Sequence, residues 1–215
     1  MRYPQLDDRL QAAADLFPVC AYGADIGADH GRLSCHLLHS SGKCARMIVS
    51  DISAESLAKA QALLALHELA DRADFCVADG LNALRGRPNV QCAVMCGMGG
   101  RLISQILRDG CGLLQGAALV LSSHTDIPLV RQTLMQIGYA ITAERIVRAK
   151  GRFYVLMRAE PGNAHYTERE LYLGPALLDN PPPLWQNYLR WREGVVACEA
   201  GHEQQLAWIR EELAK

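Results

Sequence analysis

Four short runs of this 215-residue chain concentrate residues able to do chemistry, and three of them set an acid behind an apolar stretch. The first is Ala24-Asp25-Ile26-Gly27-Ala28-Asp29-His30-Gly31. A glycine here lets backbone approach a ligand, and the helix that follows offers its free N–H groups. A dinucleotide fingerprint needs G-x-G-x-x-G, but Asp29 and Arg32 stand where its second and third glycines belong. Carboxylates at Asp25 and Asp29 would repel a pyrophosphate. They suit a ligand with an ammonium and a sulfonium, the groups that S-adenosylmethionine presents. A purely structural strand-to-helix turn would use the same residues.

Asp51, with Ile52 beside it, follows Ile48-Val49-Ser50, about 20 residues beyond the glycine turn, where an acid takes ribose hydroxyls. Its bland alternative is an N-cap for a helix beginning near Ser53, although Ser53 already serves that purpose. Asp79-Gly80 closes a third apolar run and could face an adenine amino group. The fourth run is Met95-Cys96-Gly97-Met98-Gly99-Gly100-Arg101. Glycines so dense permit a ligand or base to lie against backbone; a tight turn before a helix at Leu102 is the alternative.

The elements that must hold these runs follow from the hydrophobic pattern. Residues 1–18 read as an amphipathic helix closed by Pro18. Strands are expected at Ala21–Ile26, Met47–Ser50, Phe75–Ala78, Cys92–Cys96 and Leu119–Ser122. Helices are expected at Arg32–Leu38, Ala54–Leu69, Leu102–Leu107 and Leu129–Ile137. Such alternation implies right-handed crossovers and a parallel sheet. Tyr139–Val147 and Phe153–Arg158 then read as a hairpin around Arg148-Ala149-Lys150-Gly151-Arg152. The expected class is α/β, a Rossmann-like class I methyltransferase sheet, parallel with an antiparallel terminal hairpin, over residues 1–160. Residues 161–215 form a small helical, coiled-coil-like appendage, mostly helical over Leu184–Leu213, with Gly194 and Gly201 as kinks or a turn.

Composition narrows the classes. Half the residues are hydrophobic, so a sizeable core rather than disorder is expected. No run approaches the ~20 apolar residues that span a bilayer, and no apolar leader opens the chain, which points to a soluble cytoplasmic protein. The eight cysteines contain no C-x-x-C pair, so they read as buried reduced thiols, not a zinc site. His36 and His39 read as helix-face residues. The net charge of −1 gives no global pull toward polyanions, so any such site must come from local clusters: Arg145, Arg148, Lys150 and Arg152, with Arg190 and Arg192 beyond. A solvated face is the ordinary reading of such clusters.

The set ADIGADHG, VSDIS, VADGLNAL and CGMGGRLI, with Gly151-Arg152-Phe153-Tyr154 and Leu173-Gly174-Pro175-Ala176-Leu177-Leu178, resembles the bacterial tRNA (adenine-22-N1)-methyltransferase family, the TrmK family. The resemblance covers nearly the whole chain. It implies S-adenosylmethionine held by Asp25, Gly27, Asp51, Asp79 and Gly80, with Gly97–Gly100 beside the target base of a tRNA. Ile52 and Gly97 complete the candidate cofactor set. The candidates for the chemistry are Asp25, Asp29, His30, Gly97, Met98 and Gly99, with His30 equally able to serve as a structural cap. Where the family carries Gln-Pro after the fifth strand, this chain has Ser122-Ser123-His124-Thr125. A small-molecule or protein methyltransferase, or a non-enzymatic nucleotide-binding module, are the competing classes.

Overall fold

The computed structural model describes residues 4–39, 42–198 and 200–215. Five parallel strands form, β1 (Cys20–Ile26), β2 (Cys44–Asp51), β3 (Ala73–Val77), β4 (Cys92–Met98) and β5 (Ala118–Ser123). Helix α1 (Asp8–Leu16) precedes them; α2 (Arg32–His39), α3 (Ala54–Leu66), α4 (Gly100–Leu114) and α5 (Ile127–Gln136) follow β1, β2, β4 and β5. Strands β6 (Tyr139–Ala149) and β7 (Arg152–Pro161) pair antiparallel, and β7 pairs antiparallel with β5. The sheet order is β3-β2-β1-β4-β5-β7-β6. The order reverses between β1 and β4, and in such sheets the crevice beyond the carboxyl ends at that point is where ligands bind.

Each face of the sheet carries its own core. One packs Phe17, Leu37, Leu38, Met47, Val49 and Leu64 beneath α1, α2 and α3. The other packs Ile48, Met95, Leu107, Leu119 and Leu134 beneath α4 and α5. All six residues of β5 are buried, as expected of an inner strand covered on both faces. Phe17 presses on β1 at Gly23, where an added Cβ would lie 2.8 Å from its ring, so this strand position must stay small.

Several boundaries differ from the sequence expectation. Helix α1 begins at Asp8, because the Asp7 carboxylate accepts from Leu10 N at 2.9 Å and caps it; residues 1–3 lie outside the described residues. Helix α3 ends at Leu66, since Glu68 turns left-handed at φ +58° and Ala70–Arg72 forms a separate 3₁₀ turn. The hairpin loop is shorter than expected. Lys150 and Gly151, at φ +48° and +78°, make a two-residue turn of the kind that matches strand twist, and both strands run up to it.

Beyond β7 lie α6 (Glu168–Leu173), α7 (Pro175–Asp179), α8 (Trp185–Val196) and α9 (Glu203–Leu213). The sequence reading missed the first two, yet Thr167 and Glu170 form a capping box that their T-x-x-E spacing signals. Gly194 does not kink α8; Gly201, at φ +84°, sits in the turn that makes α8 and α9 a helical hairpin. A third core joins Trp185, Tyr188, Leu189, Val196 and Ile209 to Ile146 and Val155 of the sheet. The thiols are less uniformly buried than expected: Cys111 and Cys198 are exposed.

Candidate active site

The carboxyl ends of β1, β2 and β4 and the turn after β3 open onto one cleft of about 830 Å³. Asp25, Gly27, Asp29, His30, Asp51, Ile52, Asp79, Gly80, Gly97 and Met98 all line it. Of the residues singled out from sequence, Gly99 alone does not. It caps α4 at φ −71°, and a side chain there would meet Thr125 Oγ1 at an ordinary 3.5 Å. The tight approach falls one residue later, where a Cβ on Gly100 would overlap the Thr125 carbonyl. Dense glycines at this strand end therefore divide their labour, and only Gly97 opens onto the cleft.

Asp25 is buried at the end of β1 and accepts from Ser34 Oγ of α2 at 2.6 Å. Burial pushes its carboxyl up to about 6, with the Asp51 charge adding to the rise and the Ser34 hydrogen bond opposing it. Asp51 is half-buried and held by two backbone donors. Asp29 N reaches one oxygen at 3.0 Å and Ser53 N the other at 2.8 Å. The N-cap of α3 is Ser53, which accepts from Ser56 N, so Asp51 keeps lone pairs for the cleft. Asp79 is exposed and makes no side-chain cap bond to the 3₁₀ turn Gly80–Leu84 that it opens. Exposed Ile52 adds an apolar surface beside Asp51. Asp29 and His30 lie at the rim, both exposed, 3.6 Å apart.

Gly27 and Gly97 show why glycine is needed. Gly27, at φ +76°, has the Met98 methyl where its Cβ would stand, so the β1 turn and the β4 end touch directly. Gly97, at φ +83°, is the extra residue of a bulge between Cys96 and Met98 against β5, and it is exposed. Bulges of this kind re-aim a strand end. Cys96 lines the cleft too, but burial pushes its thiol up to about 12, out of the range of a nucleophile. Among the described residues no three His, Cys, Asp or Glu side chains gather to hold a metal, and no helix is long and apolar enough to cross a membrane.

Residues 6–157 match the family model of a methyltransferase domain. The chain belongs to the methyltransferase domain family. The methyltransferase is similar to tRNA (adenine(22)-N(1))-methyltransferases, the proteins that its sequence motifs resemble. It is 28% identical over 178 residues to the tRNA (adenine(22)-N(1))-methyltransferase of Bacillus subtilis (strain 168), spanning 82% of this chain and 74% of that one. Among solved structures, Sp1610 of Streptococcus pneumoniae in complex with S-adenosyl-L-methionine superposes with a TM-score of 0.89 at 26% identity, covering 97% of this chain and 100% of that one. TrmK of M. capricolum in complex with S-adenosyl-homocysteine shares the fold, with a TM-score of 0.85 at 20% identity over 98% of this chain and 99% of that one.

In the methyltransferase the cleft also contains side chains outside the candidate catalytic and cofactor sets. Arg9 and Leu10 reach it from α1, His124 from the loop after β5, Lys150 from the hairpin turn and Tyr154 from β7. The basic cluster is smaller than the sequence implied. Arg145 is paired with Asp15 at 3.0 Å, and Arg192 donates to the Tyr172 hydroxyl at 2.6 Å while lying over its ring. Arg148, Lys150, Arg152 and Arg190 remain exposed, with Arg148 lying over the Phe153 ring.

Proposed function

We propose that this chain transfers a methyl group from S-adenosylmethionine to N1 of the adenine at position 22 of tRNA, in the cytoplasm. The observation that carries the reading is the meeting, in one cleft, of three carboxylates from successive strand ends with an exposed glycine bulge. The residues fit the cofactor. Asp51 offers oriented oxygens to ribose hydroxyls, Asp79 and Ile52 flank the place of the adenine ring, and Gly27 leaves backbone bare. Asp25 sits on the amino-acid side, where a ligand cation would favour its ionised form. When bound, the cofactor supplies an electrophilic methyl on a sulfonium.

The chain's part is positioning. Adenine N1 has an in-plane lone pair, so attack needs no prior deprotonation, and alignment of N1 with the methyl is the main demand. N1 lies on the Watson–Crick edge, so the base must be extruded before it can reach the cleft. Gly97 lets it lie against the end of β4, next to Met98. Asp29 and His30, at the rim, can take up a proton released later. The exposed cations of the hairpin turn would hold tRNA phosphates, while residues 161–215 act as a second, helical unit gripping the tRNA or covering the sheet edge.

The test is to incubate unmodified tRNA with the protein and S-adenosylmethionine and to identify the methylated nucleosides by mass spectrometry. N1-methyladenosine mapping to position 22 is the expected product. Methyl found in no tRNA nucleoside would overturn the reading.

A further inference from the structure

Three side chains from separate parts of the chain converge beside Gly97. The His124 and Tyr154 rings meet edge to face, with centroids 5.6 Å apart at 72°. The Arg9 guanidinium lies over the Tyr154 ring at 5.7 Å. A Cβ on Gly97 would stand 3.3 Å from Arg9 Nη1 and 4.0 Å from His124 Nε2, so these two groups face the space that this glycine leaves, and Tyr154 lines the same cleft. Arg9 has no carboxylate partner among the described residues.

We propose that Arg9, His124 and Tyr154 form the wall that holds the target base, and that His124 selects adenine by accepting a hydrogen bond from its exocyclic amine. The inference rests on methyl transfer to adenine in tRNA and adds which atoms recognise the base. The ring nitrogen of His124 that faces this space is Nε2. Partial burial, with the Arg9 charge adding to it, holds the ring below the ordinary histidine range, so the neutral imidazole keeps one nitrogen as an acceptor. Adenine presents a bare N1 beside an amine. Guanine presents an N1 hydrogen beside a carbonyl oxygen. An acceptor at this place matches the first and opposes the second, and a site built around such a bond rejects the base that cannot make it.

Tyr154 and Arg9 supply what His124 does not. Stacking on an aromatic ring tolerates any base and so gives affinity without choice. An unpaired guanidinium at the same wall suits the phosphate of the extruded nucleotide.

The test is single-turnover methyl transfer to two tRNAs, one with adenosine at position 22 and one with purine riboside, which keeps N1 but lacks the amine. Wild type should prefer adenosine. In His124→Ala, and in His124→Phe, which retains a ring against Tyr154, that preference should shrink by roughly tenfold, the worth of one hydrogen bond. His124→Gln, whose amide oxygen can accept, should keep most of it. Melting temperature and S-adenosylhomocysteine affinity should stay at wild-type values in all three variants. An unchanged preference in either acceptor-free variant that folds and binds cofactor overturns the proposal. Wild type that methylates tRNA elsewhere, or not at all, would instead defeat the functional reading, and this proposal with it.

Discussion

At the scale of single residues, the three strand-end acids were legible because each follows an apolar run that must be a strand, and strand ends at a switch point face a ligand. Their surroundings were not legible. That Asp25 is buried on Ser34 while Asp51 is clamped by Asp29 N and Ser53 N depends on how two turns meet. Asp51→Ala should weaken S-adenosylmethionine binding by about 1.5–3 kcal/mol, the loss of charged hydrogen bonds, in a protein that still folds; calorimetry on the purified variant measures it. Asp25 carries a different consequence. Its folded carboxyl titrates at about 6, above the unfolded value of about 4, so the fold holds the proton more tightly. Stability of the free protein should therefore fall as pH rises through that window, by an amount on the order of 3 kcal/mol. Asp25→Asn keeps an acceptor for Ser34 and removes the titration. Melting curves should show the variant more stable than wild type at pH 8 and no more stable at pH 4. A variant with the same pH profile as wild type would show that Asp25 is not the group responsible. Arg9, His124 and Tyr154 could not be grouped from the sequence for a simple reason: 145 positions separate the first from the last, and no spacing rule links them.

At the scale of elements, the strand and helix succession could be read from periodicity alone, but the ends could not. Caps and left-handed residues such as Asp7 and Glu68 set those ends. The least legible element contact is a buried ion pair. Arg131 of α5 binds Glu144 of β6 at 2.8 Å, with both side chains all but fully buried. The guanidinium also donates to the carbonyls of Leu171 and Tyr172, while Glu144 accepts from Ala176 N at 3.1 Å. One pair thus fastens α6 and α7 to the sheet, and the crowding forbids a side chain at Gly174. Arg131→Met should lower stability by about 3–5 kcal/mol because it strands Glu144, and Arg131→Met with Glu144→Leu should recover part of that. Denaturant titration of both decides it. The β6–β7 turn gives a functional counterpart. Arg148→Glu with Lys150→Glu should raise the apparent KM for tRNA by roughly tenfold and steepen no salt dependence, with cofactor affinity unchanged. Wild-type tRNA kinetics in this variant would reduce the cluster to a solvated face.

At the scale of the molecule, the sheet with its terminal hairpin was legible because few topologies satisfy that order of elements. The role of the last helices was not, since a helical pattern says nothing of what it leans on. Here α8 and α9 share a core with Ile146 and Val155, so the far unit and the hairpin whose turn borders the cleft are packed as neighbours. All three tryptophans of the chain, Trp185, Trp191 and Trp208, belong to these two helices, and none lines the cleft. Trp191, 44% exposed, lies against Phe153 two residues past the turn. The protein therefore carries a built-in optical reporter on one side only. Its intrinsic emission should stay constant as S-adenosylmethionine is added and change as tRNA is added, since an RNA strand tracking from the hairpin would cross the Trp191 indole. Titrating each ligand in a fluorimeter would separate filling of the cleft from arrival of the nucleic acid, with no label attached.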